Sequence, residues 1–234
     1  MGMLINPYGF GAAAAVADVT LTAAAASYSL GGSGSSWTYT LATQALGADD
    51  ANRMILVAIG LGTGVSHSIS GCSVQGISGI QVNVANGASN GNCALYRVAV
   101  PTGTTGTVIF NVTGGGTPSA GIAAVYRAIP ASMTPTSSNN GGADSTADNV
   151  TYQVSSVGTG VAGFQLGVGS THGAFSLFDA TGLGTLIAGT NATKTVTNLG
   201  FAASAYYASG TNLGTWECAT GNAQDKRICA GAWV

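Results

Sequence analysis

Residues 53–60, Arg-Met-Ile-Leu-Val-Ala-Ile-Gly, constrain the fold of this chain more than any other stretch. Met54 to Ile59 is an unbroken apolar run, entered through Gly47-Ala48-Asp49-Asp50-Ala51-Asn52 and left through Gly60-Leu61-Gly62-Thr63-Gly64. A run this short, rich in branched residues and bounded by turn formers, predicts a strand buried on both faces, because a strand with one wet face alternates apolar and polar residues. Such a strand is central. Each of its faces needs a cover, supplied by another segment of the chain, by an arm or by a neighbouring subunit.

The remaining apolar segments alternate. Trp37, Tyr39 and Leu41 alternate with threonines, and Ala94, Tyr96, Val98 and Val100 share one face of the segment from Cys93 that Pro101 stops. Val108, Phe110 and Val112 share a face, as do Val150, Tyr152 and Val154, then Phe164, Leu166 and Val168, then Phe201, Ala203, Ala205 and Tyr207. All of these read as strands, and alternation makes the run at 53–60 the one strand covered on both sides. Ile69 to Val84 reads as a hairpin turning at Gly76-Ile77-Ser78-Gly79, and the pairs Tyr96-Arg97 and Tyr126-Arg127 read as neighbours on one sheet. With many Gly-rich turns and no convincing helical periodicity, the expected fold is all-β, an antiparallel β-sandwich or jelly roll with an extended N-terminal arm. The arm is placed at 1–26, where few large side chains follow Ile5-Asn6-Pro7-Tyr8-Gly9-Phe10, and the sandwich domain at 27–234, with a long polar loop near 131–149.

Composition limits what the surface can do. Only 6% of the residues are charged, against roughly a quarter in an ordinary soluble domain. A surface of Ser, Thr, Asn, Gly and Ala is poorly dispersed by charge, which points to a homo-oligomer or larger assembly. Six basic residues and a net charge of −2 give no cationic footprint for nucleic acid. No apolar stretch approaches the roughly 20 residues of a membrane-spanning helix, and the N-terminus has no basic signal-peptide n-region, so neither a membrane partner nor cleaved secretion is expected.

The residues that carry chemistry elsewhere form no convincing constellation here. Glu217, the one glutamate, has Asp179 or Asp225 as partners for a glycosidase-type carboxylate pair, but solvated loop acids account for all three. His172 and Asp179 lack a nucleophile elbow, and both His67 and His172 read as exposed loop histidines. Asp49-Asp50-Ala51-Asn52 reads as a turn that satisfies its own amides, without the ligand spacing of a calcium loop. The four cysteines form no CxxC pair; as structural thiols, Cys218 with Cys229 and Cys72 with Cys93 are the pairings the strand order suggests. The chain is therefore expected to be no enzyme and to need no cofactor. The candidate assembly contacts are Ile5, Pro7, Tyr8 and Phe10, whose rings and apolar groups suit docking on a partner. Trp216, in Leu213-Gly214-Thr215-Trp216-Glu217, reads as a loop residue, and with Tyr206 it is a candidate contact for a ligand or receptor such as a host-surface glycan.

Several of these segments, in this order, carry a family likeness. Leu46-Gly47-Ala48-Asp49-Asp50-Ala51-Asn52-Arg53 leading into the apolar strand, Ile69 to Ile77, Leu95-Tyr96-Arg97-Val98-Ala99-Val100-Pro101-Thr102-Gly103-Thr104-Thr105-Gly106-Thr107-Val108, Gly121 to Tyr126 and the opening Ile5 to Phe10 together resemble all-β virion structural proteins of tailed bacteriophages. The similarity covers most of residues 1–130 and weakens beyond. It implies a non-catalytic protein on the particle exterior, as head decoration or in a tail or fibre, made in the host cytoplasm and partnered by other virion proteins. It carries over no active-site residue.

Overall fold

The computed structural model describes residues 18–27, 30–62, 67–86, 91–115, 121–143, 149–155, 161–170, 176–178, 185–187, 189–190, 192–196, 199–208, 213–219 and 226–233. These residues form strands and turns only. In chain order the strands are β1 (Asp18–Ser27), β2 (Leu30–Ser33), β3 (Ser36–Ala45), β4 (Met54–Leu61), β5 (His67–Val74), β6 (Ile77–Ser78) and β7 (Ile80–Asn86). There follow β8 (Asn92–Ala99), β9 (Thr105–Gly114), β10 (Gly121–Ile129), β11 (Ser137–Ala143), β12 (Asn149–Ser155) and β13 (Val161–Ser170). The last are β14 (Ser176–Phe178), β15 (Thr185–Leu186), β16 (Ala192–Val196), β17 (Leu199–Ala208), β18 (Leu213–Ala219) and β19 (Lys226–Trp233).

The fold is an antiparallel β-sandwich organised around one covered sheet. That central sheet has the order β1-β10-β4-β8-β7, so the apolar run at 54–61 is its middle strand. A first cover sheet, β2-β3-β9-β5-β6, packs on one face. A second, β11-β19-β13-β17-β15 with β16 on β17, packs on the other, and β12-β18-β14 form a small separate sheet. The alternation of β4 assigns its residues: Ile55, Val57, Ile59 and Leu61 join Tyr39, Ile69, Val108, Phe110 and Val112 of the first cover. Met54, Leu56 and Ala58 join Phe201, Ala203, Cys229 and Trp233 of the second. Both covers come from the chain itself.

β4 is not alone in being buried twice. In β10, Ala123 and Val125 face the first cover while Ile122, Ala124 and Tyr126 face the second. In β8, Ala94, Tyr96 and Val98 face the first, and Cys93 and Leu95 the second. The sequence pattern hides this because Arg97 and Arg127 interrupt the two apolar runs and the alanines scattered over their faces read as neutral, although between packed sheets a methyl group fills the space that remains. The pairs Tyr96-Arg97 and Tyr126-Arg127 do share the sheet, but on either side of β4. Leu56 is opposite both Tyr126 and Arg97. The one-residue offset sends the two tyrosines to opposite faces.

Three further segments differ from expectation. Residues 18–26 of the expected arm are β1, paired along β10 from Asp18↔Ile129 to Ser27↔Gly121. A register shift between Leu21 and Ala23, where the Thr22 hydroxyl donates to the Val125 carbonyl at 2.9 Å, reverses the facing of the strand, so Val19, Leu21 and Ala24 all meet the second cover. Ser137–Ala143, inside the expected long loop, is β11 on β19, and polar composition did not prevent it because a ladder satisfies backbone groups whatever the side chains. The hairpin turn is Gln75-Gly76, with φ of 52° and 79°, and Ile77-Ser78 already belong to the return strand. Residues 1–17, including Ile5, Pro7, Tyr8 and Phe10, lie outside the described residues.

The turn into β4 is held by a buried arginine. Arg53 is fully buried, and its guanidinium donates to the carbonyls of Val100, Gly47 (2.9 Å), Ala48 (3.0 Å) and Gly103 (2.8 Å) and reaches Asp49 Oδ1 at 3.4 Å. Arg127 Nε donates to the same Ala48 carbonyl at 3.0 Å. As the sequence implies, the turn also closes on itself, with Asn52 N donating to Asp50 Oδ1 at 2.8 Å. At the start of β10, Gly121 lies under the Tyr39–Phe110 ring stack, whose centroids are 4.7 Å apart; a Cβ there would sit 2.7 Å from Phe110 and 2.8 Å from Tyr39.

Candidate functional site

The open end of the interface between the central sheet and the first cover holds a cleft. The chain passes from β6 in one sheet to β7 in the other over a single residue, Gly79, whose N–H donates to the Cys72 carbonyl at 2.8 Å. A Cβ on Gly79 would lie 3.1 Å from that carbonyl oxygen and 3.1 Å from Val98, so the crossing favours glycine. Register shifts flank the crossing on both strands, between Ile69 and Gly71 in β5 and between Gln81 and Asn83 in β7. Bulges of this kind re-aim side chains at sheet rims. The resulting concavity of about 420 Å³ is lined by Ser70, Ser73, Ser78, Gln81, Tyr96 and Asn111, with glycines and Cys72 between them.

The lining is neutral and rich in hydrogen-bonding groups. Tyr96 Oη donates to its cross-strand partner Gln81 at 3.1 Å, and Asn111 Oδ1 accepts from Thr38 at 3.0 Å, which leaves the Asn111 amide NH₂ and the serine hydroxyls as further donors. Burial pushes the Cys72 thiol up to about 12. Burial, and then the nearby Cys72, push the Tyr96 phenol up to about 12. Both groups are protonated near neutral pH, so neither serves there as a nucleophile or a general base. Such a lining offers hydrogen-bond donors and acceptors without charge. Ile77 and Ile80, 41% and 57% exposed, flank the crossing at its rim.

The residues singled out from sequence do not converge on this cleft. Trp216 lies within β18 rather than on a loop, opposite Tyr152, because pairing with β12 extends through it from Leu213 to Ala219. Tyr206 lies on β17, opposite Gly163 and Leu186, in a different sheet. Glu217 shares β18 with Trp216, opposite Thr151 and Phe178, whereas Asp179, Asp225 and His172 lie outside the described residues. His67 is not an exposed loop histidine. It is a buried residue of β5 whose ring meets Trp37 edge-on at 5.3 Å, packing that becomes available once β5 pairs with β9 beside β3. Trp37 and Trp233 are core residues, the latter donating Nε1–H to the Met133 carbonyl at 3.1 Å. Among the described residues no group of three or more His, Cys, Asp or Glu side chains gathers at a metal-binding spacing, and no helix is long and apolar enough to cross a membrane.

The cysteine pairings also change. Cys72 belongs to the core under the first cover and Cys93 to the core under the second, so the central sheet separates them. Cys229, on β19, lies against Cys93, while Cys218 is on β18 in the small sheet. Nothing in the sequence signals the cleft or the cysteine contact, because the cleft opens only where the consecutive strands β6 and β7 part into different sheets and the two cysteines lie 136 positions apart. No family model matches the chain, and no curated protein or solved structure is significantly similar to it.

Proposed function

We propose that the protein is a non-catalytic structural component of the exterior of a tailed-bacteriophage particle, decorating the head or associated with a tail or fibre, and that it works through assembly with other copies and other virion proteins. The observation that carries this reading is the poverty of charge: 6% of residues, in a chain whose sandwich already covers its own central sheet. The weakly charged outer surface then remains to be accounted for, and contact with other subunits accounts for it. The choice of a virion rests on the family likeness across residues 1–130. Purified particles of the virus that encodes the chain should contain it, and an antibody against it should label their exterior. Absence of the polypeptide from a denaturing gel of such particles overturns the reading. Because the described strands begin with β1 at Asp18, deletion of 1–17 tests Ile5, Pro7, Tyr8 and Phe10 as assembly contacts while keeping every described strand. The truncated protein should fold and fail to incorporate; incorporation at normal levels rules these contacts out.

The neutral cleft favours a second reading, a carbohydrate- or receptor-binding module, which is compatible with the first. Serine hydroxyls and the Asn111 and Gln81 amides match the hydroxyls of a host-surface glycan. Neutral oligosaccharides at millimolar concentration should shift amide resonances of Ser70–Ser73 and Ser78–Gln81. Absence of any shift in the folded protein removes this reading and leaves the first standing.

A further inference from the structure

Cys93 on β8 and Cys229 on β19 meet in the core between the central sheet and the second cover. Their Sγ atoms are 3.2 Å apart, and Cys229 Sγ lies 3.2 Å from the Cys93 carbonyl oxygen. Both residues are fully buried, and 136 positions separate them in the chain. Two sulfur atoms at this separation are inside their ordinary van der Waals contact. The cross-strand partners of Cys93 are Gly60 and Ala85, which leave room for side-chain rotation toward the roughly 2.0 Å of an S–S bond.

We propose that Cys93 and Cys229 are a covalent modification site: the pair forms an intramolecular disulfide that fastens the central sheet to the second cover when the chain folds in the presence of a small-molecule disulfide oxidant. One cysteine, as its thiolate after loss of a proton, attacks the S–S bond of the oxidant; a mixed disulfide forms and one oxidant thiol leaves. The second cysteine loses its proton and displaces the other half of the oxidant. Two S–H bonds are lost and one S–S bond is gained. The two electrons reside in the two thiols of the reduced oxidant, which take up the two protons.

Burial, reinforced by the contact with Cys229, pushes the Cys93 thiol well up, and the charge of Arg227 offsets part of the rise. The thiolate is therefore scarce in the closed core. Exchange takes place while β19 is still away from β8, and the finished bond is shielded from reductants. Cys72 lies across the central sheet and is no competitor.

The test is to refold the full chain from denaturant in a mixture of reduced and oxidised glutathione, confirm strand content by circular dichroism, then unfold, alkylate and map the peptides. The expected result is alkylation at Cys72 and Cys218 only, with Cys93 and Cys229 in one cross-linked pair of peptides. Cys72→Ala should retain the cross-link, and Cys93→Ala should lose it and leave Cys229 alkylated. The cross-linked protein should also unfold at a higher urea concentration than the same protein after reduction. Four alkylated cysteines in the refolded protein, or a cross-link that includes Cys72 or Cys218, overturns the proposal.

Discussion

Leu56 and Val57 are adjacent in sequence and fully buried, yet they face different layers, Leu56 toward the second cover and Val57 toward the first. Truncating each to alanine therefore probes one layer at a time. Leu56→Ala removes three carbons, about 2.4 kcal/mol at ~0.8 kcal/mol per carbon, and the residual cavity brings the cost to about 3–4 kcal/mol. Val57→Ala removes two carbons and should cost about 2–3 kcal/mol on the same reasoning. The double variant, which opens a cavity on each face of the sheet, should cost more than either single variant. Urea unfolding followed by far-ultraviolet circular dichroism measures all three. Fluorescence adds a check, because Trp37 lies on the first cover and Trp233 on the second, and their transitions should coincide if the layers unfold together. A cost below about 1 kcal/mol for Leu56→Ala, beside a full cost for Val57→Ala, would mean that the second cover does not close over β4.

Replacement of Arg53 removes donors from four backbone carbonyls at once. Arg53→Met should cost about 3–5 kcal/mol in the same urea assay, and Arg53→Lys should restore little because an ammonium cannot span that set of acceptors. Tyr126 Oη donates to the Thr190 carbonyl at 2.9 Å and ties the central sheet to the chain beside β17, so Tyr126→Phe should cost about 1–3 kcal/mol; a neutral outcome would mean that this bond contributes nothing. Stability should decline in alkali. Cys72 and Tyr96 titrate near 12 in the folded protein, above their ordinary values of 9.0 and 10.0, so the unfolded chain releases these protons first. Their contribution is complete below pH 9 and is lost as pH rises toward 12. Cys72→Ala should flatten that decline in urea midpoints measured from pH 9 to 12, and an unchanged slope would contradict the assignment.

How far the sequence reveals this fold follows from which physical signals are local. The branched run at 54–59 identifies the middle strand, since a large side chain on both faces is a property of the segment itself. Alternation likewise places Trp37, Tyr39 and Leu41, and Val108, Phe110 and Val112, on the faces that the sandwich buries. What sheets do to each other is not local. Arg97 and Arg127 break the apolar runs of β8 and β10, and the polar β11 is held by its ladder with β19 and by the Asn140 amide, which donates to Asn83 and Val84 of β7. Arg53 sits in a turn full of charge, and its burial depends on carbonyls supplied from Val100 and Gly103, about fifty residues away. The cleft and the Cys93–Cys229 contact have the same origin. Gly79 and Cys72 are ordinary residues of a hairpin until β6 and β7 part into different sheets.

The account depends most on the claim that the chain covers both faces of its own central sheet, leaving only its outer surfaces for assembly. Hydrogen exchange of the β4 amides, Met54 to Leu61, tests this directly when measured over a wide range of protein concentration. These amides should be among the slowest in the chain, far slower than those of Ile77 and Ser78 on the edge strand, and their rates should not change on dilution. Protection of β4 that disappears as the protein is diluted would show that another subunit supplies one of the covers.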